Sequence, residues 1–158
     1  MKPFLLLMLL PLTACVSADD GAMETAAAPA GLSPEQIVTA RQSAFHLSAI
    51  AFGSMKPAVD SGADPKPLTF AARGLAKWAR ALPSMFPEGT ALPSSKARPE
   101  LWADRGDFEA KAAAYLAAAT ALADAAQAGD KPAFAARWTE VRETCSACHD
   151  PYRVEPAR

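Results

Sequence analysis

Proline and glycine cut this chain into segments of helical period, and none shows a convincing two-residue alternation of apolar and polar side chains. That restricts the fold to helices packed on helices. The first segment opens at Ser33-Pro34-Glu35-Gln36. Ser33 can cap the free N–H groups, Pro34 suits the first helical position, and Gln36 completes a capping box. The pattern runs to about Lys56, before Pro57, along two adjoining stripes. One holds Ile37, Ala40, Ala44, Leu47 and Ala51; the other holds Val38, Arg41, Phe45, Ser48, Phe52 and Met55. A face that wide belongs to a helix turned toward a core, with Arg41 an intruder in it. The second segment begins at Asp64-Pro65, carries Leu68, Ala71, Ala72, Leu75, Trp78, Ala79 and Leu82, and stops at Pro83. Gly74 at its middle is expected to admit a closely packed neighbour.

The third segment starts after Asp107, with Phe108, Ala112, Tyr115, Ala119, Leu122 and Ala126 at helical spacing, and Gly129 closes it. Asp130 caps the fourth, whose Phe134, Trp138, Val141, Cys145, Cys148 and Tyr152 share one face. Residues 83–106 contain Pro83, Pro87, Pro93 and Pro99 and cannot be a regular helix. A connection this long must pack on the helices, with Phe86, Leu92, Leu101 and Trp102 as its anchors. The expected fold is all-α: an antiparallel up-down-up-down four-helix bundle with a long crossover loop between helices 2 and 3.

Before the bundle, Met1-Lys2-Pro3 and the apolar run Phe4 to Leu12 form an export signal, too short to span a bilayer. Two cleavage readings compete. Leu12-Thr13-Ala14-Cys15 resembles a bacterial lipoprotein signal, with Cys15 as the lipidated first residue, whereas Val16-Ser17-Ala18 offers ordinary cleavage. The division is therefore 1–18 export signal, 19–31 linker and 32–158 bundle domain. Either cleavage leaves an exported, periplasmic domain, touching membrane only through an anchor at Cys15. The net charge of −1, with no basic block, excludes a nucleic-acid footprint.

Cys145-Ser146-Ala147-Cys148-His149 is a C-x-x-C-H sequence, the attachment pattern of c-type haem. Helical positions three apart lie on one face, so both sulfurs can reach one porphyrin edge. His149 then turns its imidazole under the iron as an axial ligand. A redox dithiol would want a βαβ setting. A zinc site would need a second ligand pair, and a disulfide at this spacing would constrain almost nothing. The cofactor implied is one covalently attached haem c per chain.

Arg41-Gln42-Ser43-Ala44, Arg98-Pro99-Glu100-Leu101-Trp102 with Asp104, and Cys145 to Arg153 together resemble the cytochromes c-prime, the class II c-type cytochromes. The resemblance covers nearly all of residues 33–153. It implies that His149 is the one protein ligand of the iron and that Phe45 closes the opposite face. A phenyl ring has no lone pair, so the iron is expected to be five-coordinate and high-spin. The resemblance also assigns Arg41 to a haem propionate, against a reading in which it snorkels to water at the bundle end. It places Arg153 beside the histidine, where Pro151 could kink or end the helix. Gln42, Phe52, Trp138 and Tyr152 complete the expected pocket. Met55 lies about 15 Å along the helix from Phe45 and should miss the iron. His46 is turned about 100° away, to a surface or an interface.

These residues imply binding of small diatomic gases, chiefly nitric oxide and also carbon monoxide, by a non-catalytic haem protein. The alternative is an electron-transfer cytochrome with a redox partner protein. A peroxidase would want a distal His or Arg pair that Phe45, Ser48 and Phe52 do not supply. The resemblance further implies a homodimer through the first two helices.

Overall fold

Ser33 caps the first helix as its sequence requires. Its Oγ accepts the Gln36 N–H at 3.3 Å while Gln36 Oε1 accepts the Ser33 N–H at 2.8 Å. The computed structural model describes residues 31–154. The export segment, Cys15 and the linker up to residue 30 lie outside the described residues.

Helix α1 spans Pro34–Gly53 and stops three residues short of the expected end. Pro57 has no N–H to continue the ladder. Ser54 and Met55 close α1 by donating to Ile50 O and Phe52 O, and Pro57 falls in the first turn of a short helix α2, Lys56–Ser61. Asp64 Oδ1 then accepts the Lys66 N–H, and a 3-10 turn, Lys66–Leu68, leads into α3, Thr69–Ala81. Pro83 does not stop the chain abruptly but sits in a second 3-10 turn, Leu82–Met85.

The crossover includes one further helical turn, α4, Glu100–Ala103. Phe86 and Leu101 are buried anchors and Trp102 is half-buried, but Leu92 is also only half-buried, and Thr90 and Ser95 go inside instead. Helix α5, Arg105–Ala128, begins earlier than expected because Asp104 provides the cap, accepting the Asp107 N–H at 3.2 Å. Gly129, at φ 73°, takes the left-handed position that closes α5. Asp130 caps α6, Lys131–Tyr152, which runs through Pro151 and ends one residue later. A proline one residue from the end removes one hydrogen bond where the ladder is finishing anyway.

The four long helices α1, α3, α5 and α6 make an antiparallel bundle in which α3 and α6 pack along α5 and α1 packs on α3. One core cluster joins Met55, Leu75, Leu122, Phe134, Trp138 and Val141 with a run of alanines. The second, toward the crossover, joins Leu82, Phe86, Leu101, Phe108 and Tyr152. Of the two stripes on α1, the one through Val38, Arg41, Phe45 and Met55 turns inward. The other is half-buried at Ile37, Ala40, Ala44 and Ala51 but exposed at Leu47, 66 %, and beside it Ile50 is 57 % exposed. At Leu47 and Ile50 the apolar face therefore extends beyond what this bundle buries. Gly74 does not mark a close approach either: a Cβ there would meet nothing within 4 Å. Among the described residues, no helix is long and apolar enough to cross a membrane.

Candidate functional site

Between α1 and α6 the bundle holds a cavity of about 710 Å³, within the size range of small-molecule pockets. Cys145, Cys148 and His149 reach it from the last two turns of α6, as their spacing requires. Phe45 faces His149 from α1, with ring centroids 6.2 Å apart. The phenyl ring is wedged edge-on by Trp78 at 5.0 Å and by Phe86 at 6.3 Å. The sulfurs of Cys145 and Cys148 are separate thiols, and burial raises the pKa of both, that of Cys148 to about 11. A dithiol redox centre needs a thiolate near neutral pH, and these surroundings disfavour one. Among the described residues, no three His, Cys, Asp or Glu side chains group as a metal site.

Much of the cavity wall is apolar, formed by Phe52, Leu75, Leu82 and Leu101 with Phe45 and Trp78. Trp78 Nε1 is, among the described residues, the one buried side-chain nitrogen or oxygen with no hydrogen-bond partner. The 6.2 Å between Phe45 and His149 is within about 1 Å of the span that two van der Waals contacts on a flat plate need. Two thiols three residues apart, an imidazole and a phenyl ring facing it fit a c-type haem. Cys145, Cys148 and His149 would hold it.

Other residues of the expected pocket divide. Gln42, Phe52, Tyr152 and Arg153 line the cavity. Trp138 does not: it lies in the core, stacked on Phe52 at 4.6 Å, with its Nε1 donating to Phe52 O at 3.2 Å. Sharing the cysteines' helix face was insufficient, because Trp138 lies about two turns before Cys145 and meets the C-terminal end of α1 at Phe52. Met55 is fully buried in the first cluster and is absent from the cavity wall. His46 is exposed yet also lines the cavity, at its α1 edge.

Arg41 is neither at the surface nor spare. It is 2 % exposed, and its Nη1 donates to Met85 O at 3.1 Å and Thr90 Oγ1 at 2.8 Å. Its Nη2 donates to Thr90 O at 2.8 Å and Ser95 Oγ at 2.7 Å, and the guanidinium carbon lies 4.3 Å from the centre of the Phe86 ring. Burial lowers its pKa. Three other cations border the cavity: Lys96, Lys111 and Arg153. Lys111 Nζ is held by Asp107 Oδ1 at 2.8 Å, and Asp107 Oδ2 accepts the Tyr152 hydroxyl at 2.6 Å. Lys96 and Arg153 are exposed and flank the antiparallel bridge between Ala97 and Arg153. Neither forms an ion pair among the described residues, and so both are available to carboxylates at the cavity mouth. Thr90, Ser95 and Lys96 carry no motif in the sequence. Their position in a proline-rich crossover that must pack inward was the one signal.

A sequence model of the family described as Cytochrome C' matches residues 36–153. Cytochrome c' from Alcaligenes xylosoxydans xylosoxydans is 38% identical over 122 residues, 76% of this chain and 94% of that protein. Cytochrome c' from Cereibacter sphaeroides is 35% identical over 128 residues, 77% of this chain and 85% of that protein. The solved nitric oxide complex of a mutant of cytochrome c prime from Alcaligenes xylosoxidans superposes with a TM-score of 0.72 at 35% identity. That superposition covers 78% of this chain and 97% of the other. The crystal structure of cytochrome c' from Thermochromatium tepidum gives 0.73 at 29% identity, over 78% of this chain and 99% of that one.

Proposed function

The chain belongs to the cytochrome c' family, and from that premise we propose that it is a non-catalytic periplasmic haem protein that binds nitric oxide. The observation that carries the proposal is the one-sided donor set of the cavity, His149 facing Phe45 at 6.2 Å. His149 would supply the one protein nitrogen to the iron. Phe45 supplies none, and its wedge against Trp78 and Phe86 keeps the ring from swinging freely aside. A covalently held haem c, one per chain, would supply an iron able to bind a small neutral ligand. Cys145 and Cys148 would carry the thioether bonds, and the apolar wall keeps bulk water from competing.

Nitric oxide is bound in the solved complex of the Alcaligenes cytochrome c prime mutant named above, and carbon monoxide is a second candidate of similar size and neutrality. A homodimer fits the outer surface: α1 leaves Leu47 and Ile50 exposed, and α3, which packs on α1, leaves Phe70 91 % exposed. Titration of the reduced protein with nitric oxide, followed by absorption, tests the reading. A saturable shift of the haem bands at one equivalent supports gas binding. Bands that ignore the gas in a six-coordinate protein overturn it and leave an electron carrier.

A further inference from the structure

The two walls that face each other across the cavity belong to α1 and α6, which meet directly at Phe52 and Trp138, and beside the cavity a hydrogen-bonded path also joins them through the crossover. It begins at Arg41, one turn before Phe45. A guanidinium has five N–H donors. Four are taken by Met85 O, Thr90 Oγ1, Thr90 O and Ser95 Oγ, leaving only the Nε–H of the fork for anything else. Ser95 Oγ accepts from Arg41 and also from the Ala97 N–H at 3.1 Å. Ala97 is the centre of the bridge to Arg153, where the Arg98 N–H donates to Tyr152 O and the Val154 N–H donates to Lys96 O, each at 2.8 Å. The Arg153 N–H in turn donates to His149 O at 2.9 Å. Each link is a direct bond of ordinary length, and the acceptors that hold Arg41 are all neutral groups of the crossover.

We propose that Arg41 is a positioning residue for the axial histidine: through Ser95 and the Ala97–Arg153 bridge it fixes the turn after His149 to the helix that carries Phe45. The proposal rests on the reading of His149 as the iron ligand. It leaves the Arg41 Nε–H open to a haem carboxylate, and Lys96 and Arg153, which form no ion pair among the described residues, border the same cavity. Tyr152 secures the same end of α6 to α5 through Asp107, so the crossover path is the tie on the α1 side. Its effect is to make the imidazole's position depend on groups on the far side of the cavity.

The test uses the haem-loaded protein and three variants: Ser95→Ala, Ser95→Thr and Arg41→Lys. Two quantities are read: amide hydrogen exchange at Arg98 and Val154, and the iron–histidine stretching band of the reduced protein by resonance Raman. Ser95→Ala and Arg41→Lys are expected to speed exchange at both amides by about tenfold, the factor for one lost hydrogen bond. Amides in the middle of α5 should not change. The iron–histidine band should shift in both variants, and Ser95→Thr, which keeps the hydroxyl, should restore both readings. Unchanged exchange overturns the path. Faster exchange with an unmoved band reduces it to a tether and overturns the positioning role. A wild-type protein with no iron–histidine band would instead refute the assignment of His149, a distinct failure.

Discussion

Replacing Arg41 by methionine keeps most of the stem volume and deletes every donor. Four hydrogen bonds disappear, but they are not equal. Thr90 Oγ1 keeps its bond to Pro87 O at 2.8 Å, and Ser95 Oγ keeps the Ala97 N–H, so the two hydroxyls lose little. Met85 O and Thr90 O lose the donors that Arg41 gives them, at about 1–3 kcal/mol each. The contact over the Phe86 ring, worth about 0.5–2 kcal/mol, goes as well. Against this, a buried cation is removed, which returns several kcal/mol of desolvation. The cation is already solvated by four protein groups, so the loss should prevail by about 2 kcal/mol. Guanidinium chloride unfolding of the haem-loaded protein measures it, as a fall in midpoint at unchanged slope. Arg41→Lys should recover part of the loss, since an ammonium reaches some of the same oxygens without the fork. A change smaller than about 0.5 kcal/mol, or a gain, would refute the claim that this cation organises the crossover.

Other expectations follow from single contacts. Gly74→Ala should stabilise α3 by about 0.5–1 kcal/mol, since a helical glycine is replaced where a Cβ meets nothing, and Tm should rise by a few degrees. The hydrogen bond to Asp107 raises the Tyr152 pKa above the usual 10.0, and Lys111 and then Tyr152 lower that of Asp107 below 3.8. The Tyr152 contribution is therefore full below the ordinary phenol pKa and is lost as pH rises through the folded-state value. That of Asp107 is full above the ordinary carboxylate pKa and is lost in acid. Tyr152→Phe should flatten the alkaline limb of a stability–pH curve, and an unaltered limb would count against the pair. Leu47→Glu with Ile50→Lys should leave a folded monomer by sedimentation equilibrium. A dimer that survives both charges would place the interface elsewhere.

The bundle was legible in the sequence wherever periodicity and caps agree. Ser33 with Gln36, Gly129 and Asp130 all stand where the chain turns, because each acts on backbone groups within a few residues of itself. The cysteine pair and His149 were legible for the same reason: one helical turn determines which way they point. Distance along the chain is what hid the rest. Arg41 showed as an anomaly in an apolar stripe, but its partners Thr90 and Ser95 lie 49 and 54 residues away and have no pattern of their own. Trp138 was misplaced because a shared helix face says nothing of depth along the bundle. Asp107 passed for a helix boundary, although its carboxylate, one turn inside, ties α5 to Tyr152. Leu47 and Ile50 were apolar for a surface that the single chain does not cover.

The electron paramagnetic resonance spectrum of the oxidised protein at neutral pH tests the central claim most directly. With His149 on one side of the iron and a phenyl ring on the other, it should show a high-spin ferric signal. A low-spin signal would mean that a second side chain has reached the iron, and it would contradict the one-sided site on which the gas-binding account depends.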